Sequence, residues 1–172
     1  MNIFLPYEDN VIASVGALDD KRLIKQISEC YQLLYNAIAE RAGYEVKGYK
    51  NHPIYVHYKD SVGFLLFYGF VCCYEYRWRF GKEHKYNYAF GFGSCLIPKD
   101  HPQRDELFFP KFEPFYMEGS KGQPNYIRTT ENVSELFQRK LIKKWQNDKR
   151  PPKWTNREMP EFYKKFLEGE TQ

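Results

Sequence analysis

The chain has 172 residues, of which 42% are hydrophobic and 19% aromatic, with 26 Lys and Arg against 22 Asp and Glu. That length supports one domain with a sizeable core, and a net charge of +4 excludes an acidic disordered chain. The longest apolar run, Val62 to Tyr74, spans 13 residues, short of the about 20 that a membrane span needs.

In chain order, Ile3-Phe4-Leu5-Pro6 predicts a short extended segment, and Glu8-Asp9-Asn10 a turn after it. Asp19 or Asp20 can cap a helix running to about Ala42 and stopped by Gly43. Within it Leu23, Ile27, Cys30, Leu34 and Ile38 recur at helical spacing, with Ile24, Tyr31 and Tyr35 widening the apolar face. Arg22, Lys25, Glu29, Gln32 and Asn36 form a polar line expected to face away from the core. Residues 43 to 56 read as a loop carrying Gly43, Gly48 and Pro53. A second helix is predicted from Lys59 or Asp60 to Phe80, ended by Gly81; it is apolar nearly all round through Cys73, so other elements should cover most of it.

Residues 86 to 128, rich in Gly and Pro, read as a long irregular insertion with room for short helices, of a kind more often functional than idle. Thr130 or Asn132 can cap a third helix through about Asn147, with Val133, Leu136, Phe137, Leu141 and Trp145 as its buried stripe. A short helix is expected to close the chain between Pro160 and Leu167. The expected fold is mainly α: one compact helical domain over 1–172, with a basic C-terminal helix and tail at about 131–168 and at most one short strand pair. Cys30, Cys72, Cys73 and Cys95 form no C-x-x-C pair, and no leader-like stretch precedes them. Free thiols in a reducing cytoplasm are the expectation.

Several chemistries have no sequence support. A phosphate-binding G-x-x-x-x-G-K-[ST] loop, a zinc-like Cys/His spacing and a G-x-S-x-G elbow are all missing. Three features remain. Lys25 and Glu29 form an i,i+4 pair beside Arg22, which reads either as a solvated ion pair or as a carboxylate held among cations for work on a phosphate-bearing substrate. Asn51-His52-Pro53, with His57 nearby, reads as a turn or as the rim of a site. The segment 139–157 carries eight basic residues against the single acid Asp148, and interleaves Lys143-Lys144-Trp145 and Arg150-Pro151-Pro152-Lys153-Trp154. Basic residues among rings suit phosphate contact and base stacking, or simply a soluble helix face.

The order of short motifs along the chain carries more than any one of them. Met1-Asn2-Ile3-Phe4 opens it, followed by Leu18-Asp19-Asp20-Lys21-Arg22-Leu23-Ile24-Lys25-Gln26 with Glu29, and by Asn51-His52-Pro53. Glu75-Tyr76-Arg77, Phe80-Gly81-Lys82-Glu83-His84, Lys144-Trp145 and Pro152-Lys153-Trp154 come next. This series resembles the pyrimidine-dimer DNA glycosylase (endonuclease V-like) family, especially its phage and bacterial branches, over most of the chain outside 86–124. The resemblance implies a compact all-α domain that excises bases from double-stranded DNA, with coupled lyase action and without metal or organic cofactor.

In that family an N-terminal α-amine attacks C1′ and forms a Schiff base while a glutamate assists proton transfer. Carried onto this sequence, the resemblance makes Glu29 the carboxylate, and Met1 or Lys25 the source of the amine. Arg22 and Lys25 would hold phosphates flanking a flipped nucleotide. Asn51, His52, Arg77, Lys82, Lys143, Lys144, Arg150, Lys153 and Trp154 complete the expected DNA contacts of a monomer. The sequence departs from the family pattern at residue 2, where Asn stands in place of a small residue exposed by removal of Met1, so the nucleophile is the Met1 amine or Lys25, or there is no lyase step. The substrate need not be a pyrimidine dimer and extends in this reading to a modified base. The alternatives are a nucleic-acid-binding module without catalysis and a phage factor that contacts a host protein through the aromatic-rich 86–118 segment.

Overall fold

The computed structural model describes residues 2–7, 10–46, 48–92, 114–119 and 127–169. Among them are seven helices and one strand pair: α1 (Val11–Gly16), α2 (Asp20–Arg41), α3 (Pro53–Tyr58), α4 (Val62–Phe80), α5 (Asn87–Phe92), β1 (Tyr116–Glu118), β2 (Ile127–Thr129), α6 (Val133–Gln146) and α7 (Glu161–Leu167). Met1, Cys95 and most of the 86–128 insertion lie outside the described residues. The fold is mainly α, as expected.

The centre of the molecule is the antiparallel packing of α2 on α4. Cys30 donates its thiol to the Leu65 carbonyl, Tyr68 bonds Gln26, and Arg79 reaches Asp20, so the two helices run opposite ways. Leu23, Ile27, Cys30 and Leu34 of α2 are buried against an α4 whose residues Val62 to Leu66 are all buried. Helices α1 and α5 cover further sides of α4, while Phe70, Tyr74 and Trp78 stay exposed along one stripe at four-residue spacing. Gly69 is the close approach in this packing. A Cβ there would lie 2.0 Å from the ring of Phe90 on α5, so only glycine lets that ring rest on the α4 backbone. Gly81, at φ +65, ends α4 in the left-handed cap that favours glycine.

Three expectations need correction. Asn10 leads straight into α1, a helix the sequence pattern did not mark, and caps its first turn by accepting the Ala13 N–H at 2.8 Å. The 43–56 loop ends early: Pro53 is the first residue of α3, where its missing N–H costs nothing, and His52 caps that helix through Nδ1. The described part of the insertion holds α5 and an antiparallel pair in which Met117 faces Arg128, within the room the sequence left for short helices and one strand pair. The polar line on α2 does not all face solvent, since Arg22 and Asn36 are both buried. Asn36 is covered by the loop before α3, where it donates to the Gly48 carbonyl.

The far end of α4 is locked by a second set of charges. Arg79, with a fully buried side chain, donates to Glu75, to Asp20 and to the carbonyls of Leu18 and Gly16. Glu75 also takes two bonds from Arg157, whose guanidinium lies 4.2 Å from the centre of the Trp78 ring. Burial pushes the Glu75 carboxyl up, yet the hydrogen bonds from Arg157 and Arg79 hold it below its ordinary value. Thr155 bonds Asp20 through both N–H and hydroxyl, so the segment after α6 is tied to the start of α2.

Candidate functional site

The N-terminal end of α2 meets the C-terminal end of α6 through ions. Asp19, the residue before α2, makes no side-chain cap; its carboxylate accepts from the Trp145 indole at 2.8 Å and from Arg22 at 3.3 Å. Asp148, just beyond α6, binds Arg22 and Lys21. The hydrogen bond from Arg22 holds the Asp148 carboxyl down to about 2. The only acid in the basic stretch therefore anchors that stretch to the first long helix.

One turn further along α2, Gln26 is buried with 1% of its surface exposed. Its Oε1 accepts from the Phe4 N–H at 3.1 Å and from the Tyr68 hydroxyl at 2.8 Å. Its Nε2 donates to the Asn2 carbonyl at 2.7 Å and to Glu29 Oε2 at 2.9 Å. The extended segment predicted at Ile3-Phe4-Leu5 is thus held on α2 by the Gln26 side chain, through the Asn2 carbonyl and the Phe4 N–H. Glu29 Oε1 lies 3.5 Å from the Lys25 amine, with side-chain exposures of 13% and 68%.

Asn2, Phe4, Lys21, Arg22, Lys25, Glu29, Lys144 and Asp148 enclose a cavity of about 270 Å³. Arg22, Lys144 and Asp148 also border a second cavity, of about 360 Å³, whose other walls include Glu118, Lys140 and Lys143. The two form one groove along α2 and α6 with six cations against three acids. Burial lowers the Lys144 amine below its ordinary value, helped by Arg22 and Lys25 and opposed by Glu29. Burial lowers Lys140 further, to about 8; its Nζ donates to the Met117 carbonyl and lies over the Tyr116 ring. Among the described residues, the Asn2 carboxamide oxygen is a buried acceptor with no hydrogen-bond partner.

The structure gathers Arg22, Lys25, Glu29 and Lys144 in one cavity and puts Lys143 on its extension. His52 lies within electrostatic reach of Glu29: burial lowers its imidazole, and the Glu29 charge pulls it back up. Asn51 is exposed beside it. Arg77 pairs with Glu83 at the end of α4, with Lys82 exposed nearby, and neither borders the groove. Arg150 and Lys153 are exposed on the segment after α6, and the Lys153 carbonyl accepts the Asp20 N–H. Trp154 is half-buried, donating to the Ala17 carbonyl and packing edge-on against Trp145. Met1 lies outside the described residues.

Gln26, Lys21, Asn2, Asp148, Lys140 and Glu118 join the site without having been singled out as functional. For Gln26 a signal existed: it sits one position from Ile27, three from Leu23 and four from Cys30, a polar side chain on an apolar face. Among the described residues no cluster of His, Cys, Asp and Glu could hold a metal ion, and no helix is long and apolar enough to cross a membrane. Cys30, Cys72 and Cys73 are free and buried.

The sequence model of a family described as pyrimidine dimer DNA glycosylase matches residues 1–87, half of the chain. Neither a curated protein nor a solved structure matches it. The matched half holds Asn2, Arg22, Lys25, Gln26, Glu29 and His52; the wall supplied by α6 lies beyond it.

Proposed function

The chain belongs to the pyrimidine dimer DNA glycosylase family, and from that membership we propose that the groove between α2 and α6 binds duplex DNA and that Glu29 serves the excision of a damaged or modified base. The observation that carries this reading is a carboxylate with 13% of its side chain exposed in a cavity walled by Lys21, Arg22, Lys25 and Lys144. Cations in such a groove attract phosphates. A carboxylate among them can move protons and stabilise positive charge growing on the sugar. Lys21, Lys25, Lys143 and Lys144 supply the phosphate contacts; Arg22, held by Asp19 and Asp148, shapes the groove and adds its charge.

In the reaction we infer, an unprotonated amine attacks C1′ of the nucleotide. The new C–N bond forms as the glycosidic bond breaks, and the base leaves with that bond's electron pair and picks up a proton. Opening of the sugar ring and loss of a proton from nitrogen give an imine. Removal of a C2′ proton then expels the 3′ phosphate. Glu29 carries the protons of these steps. Two amines suit the reading, the α-amine of Met1 and Nζ of Lys25. An α-amine titrates at about 7.7–8.0 and is partly free near neutrality. We favour it because Gln26 binds the Asn2 backbone and Glu29 at once, whereas Lys25 is exposed and ion-paired, without the desolvation that activates a lysine.

Borohydride trapping on duplexes carrying an abasic site, a thymine dimer or modified bases tests this directly. Wild type is expected to give a covalent adduct that disappears when the α-amine is blocked and that survives in Lys25→Ala. Loss in Lys25→Ala alone moves the nucleophile to that residue. No adduct, with tight salt-dependent binding, reduces the protein to a binding module; neither adduct nor binding overturns the DNA reading.

A further inference from the structure

Gln26 makes four hydrogen bonds through one buried side chain, and two of them fix which way its amide points. The Phe4 N–H can only donate, so the atom facing it is the carbonyl oxygen. The Asn2 carbonyl can only accept, so the atom facing it is the amide nitrogen. The nitrogen that holds Asn2 also holds Glu29 Oε2. Glu29 therefore always meets a donor at that oxygen. Its other oxygen is left toward Lys25 and the cavity. Tyr68, fully buried on α4, braces the arrangement by donating its one hydroxyl hydrogen to Gln26 Oε1 at 2.8 Å, with the Phe4 carbonyl 3.2 Å from the same hydroxyl.

We propose that Gln26, braced by Tyr68, is the positioning residue of the site: it couples the N-terminal segment to Glu29 and fixes which carboxylate oxygen faces the reacting sugar. This rests on the reading of Glu29 given above. The amide bonded to Glu29 is itself anchored on two backbone groups and one phenol, so Glu29 is held by a rigid element rather than by a flexible partner. The other charges around Glu29 come from several elements. They are Lys21, Arg22 and Lys25 of α2, His52 before α3, Lys144 of α6 and Asp148 after it.

The test compares wild type, Glu29→Gln, Gln26→Glu and Tyr68→Phe. It follows single-turnover excision of a thymine dimer and borohydride trapping on an abasic duplex from about pH 5 to 8, with duplex binding measured alongside. In Gln26→Glu the new carboxyl, while protonated, still donates to Glu29. Once that proton is lost, two carboxylates face each other at hydrogen-bond distance. The rate of this variant relative to wild type is therefore expected to fall about tenfold across that range, while binding, which depends on the lysines, holds within about twofold. Tyr68→Phe keeps the volume and loses one brace; a few-fold loss of rate with unchanged binding is expected, and it decides the matter if Gln26→Glu does not fold. If Glu29→Gln is inactive while Gln26→Glu keeps the wild-type profile, or Tyr68→Phe keeps the wild-type rate, the role of Gln26 is overturned alone. An inactive wild type, or a fully active Glu29→Gln, overturns the reading of the site and this inference with it.

Discussion

Two i,i+4 ion pairs in this molecule look alike in sequence and differ in use. Glu75 and Arg79 of α4 lie 2.7 Å apart with side-chain exposures of 6% and 0%; Arg79 makes four hydrogen bonds and Glu75 accepts three. Lys25 and Glu29 of α2 lie 3.5 Å apart, with the lysine largely in solvent and one glutamate oxygen open to a cavity. The first pair closes a network that ties α1, α2, α4 and the segment after α6 together, and its Arg79 side chain is fully buried, out of reach of a substrate. The second leaves capacity unspent beside a cavity, although both pairs lie in the half of the chain that matches a DNA glycosylase family. Saturation, more than residue type or spacing, separates a charge that builds the fold from one available for chemistry.

The sharpest way to break that contrast is to remove one member of each pair. Arg79→Met strands the Glu75 charge in the interior and is expected to cost about 3–5 kcal/mol of stability in urea titrations, with excision by the folded fraction unchanged. Glu29→Gln should do the reverse. Excision drops by about 10²–10⁴-fold, and stability moves by less than about 1 kcal/mol, as for other partly exposed pairs. Equal stability losses in the two variants would erase the distinction.

Smaller changes refine it. Lys143→Ala and Lys144→Ala are each expected to lower the slope of log affinity against log salt by about one, read by fluorescence anisotropy on duplex DNA. Acid sensitivity is the finest probe. Asp148 titrates at about 2 when folded, against an ordinary 3.8. A carboxyl lowered on folding stabilises fully above its unfolded value and loses that contribution as pH falls through its folded one. Stability tied to Asp148 is thus whole above about pH 4 and gone below about pH 2, and Glu75 acts in the same direction. Thermal melts of Asp148→Asn should fall less steeply than wild type over that window. Parallel curves would show that its link to Arg22 adds nothing measurable.

The long helices were legible because their signals are local. Apolar spacing marked α2 and α6, and Gly81 marked the end of α4. The short helices α1 and α3 hid behind residues that serve both turns and caps: Asn10 and the His52-Pro53 pair signal a helix start as readily as a loop. At the site, Glu29, Lys25, Arg22 and Lys144 could be named from motif order, but not their environments. Spacing on α2 cannot show that Asp148, 126 residues beyond Arg22, folds back to bury it. Gln26 was hidden more deeply. Its importance lies in four partners drawn from the N-terminal segment, its own helix and α4, and no window of sequence contains all of them. Trp154 shows the same limit, since a ring among basic residues gives no sign in the sequence that Trp145 and Tyr163 pack against it.

The clamp on Asn2 also bears on how the protein is handled at the bench. Its backbone carbonyl is bound by a buried amide and the residue itself forms part of the cavity wall, so any peptide fused ahead of it begins its path at that wall. On the reading proposed above, an affinity tag placed there would compete with DNA for the groove. A tag placed beyond α7 follows a helix whose last residue, Leu167, is exposed and is the arrangement under which preparations should be compared.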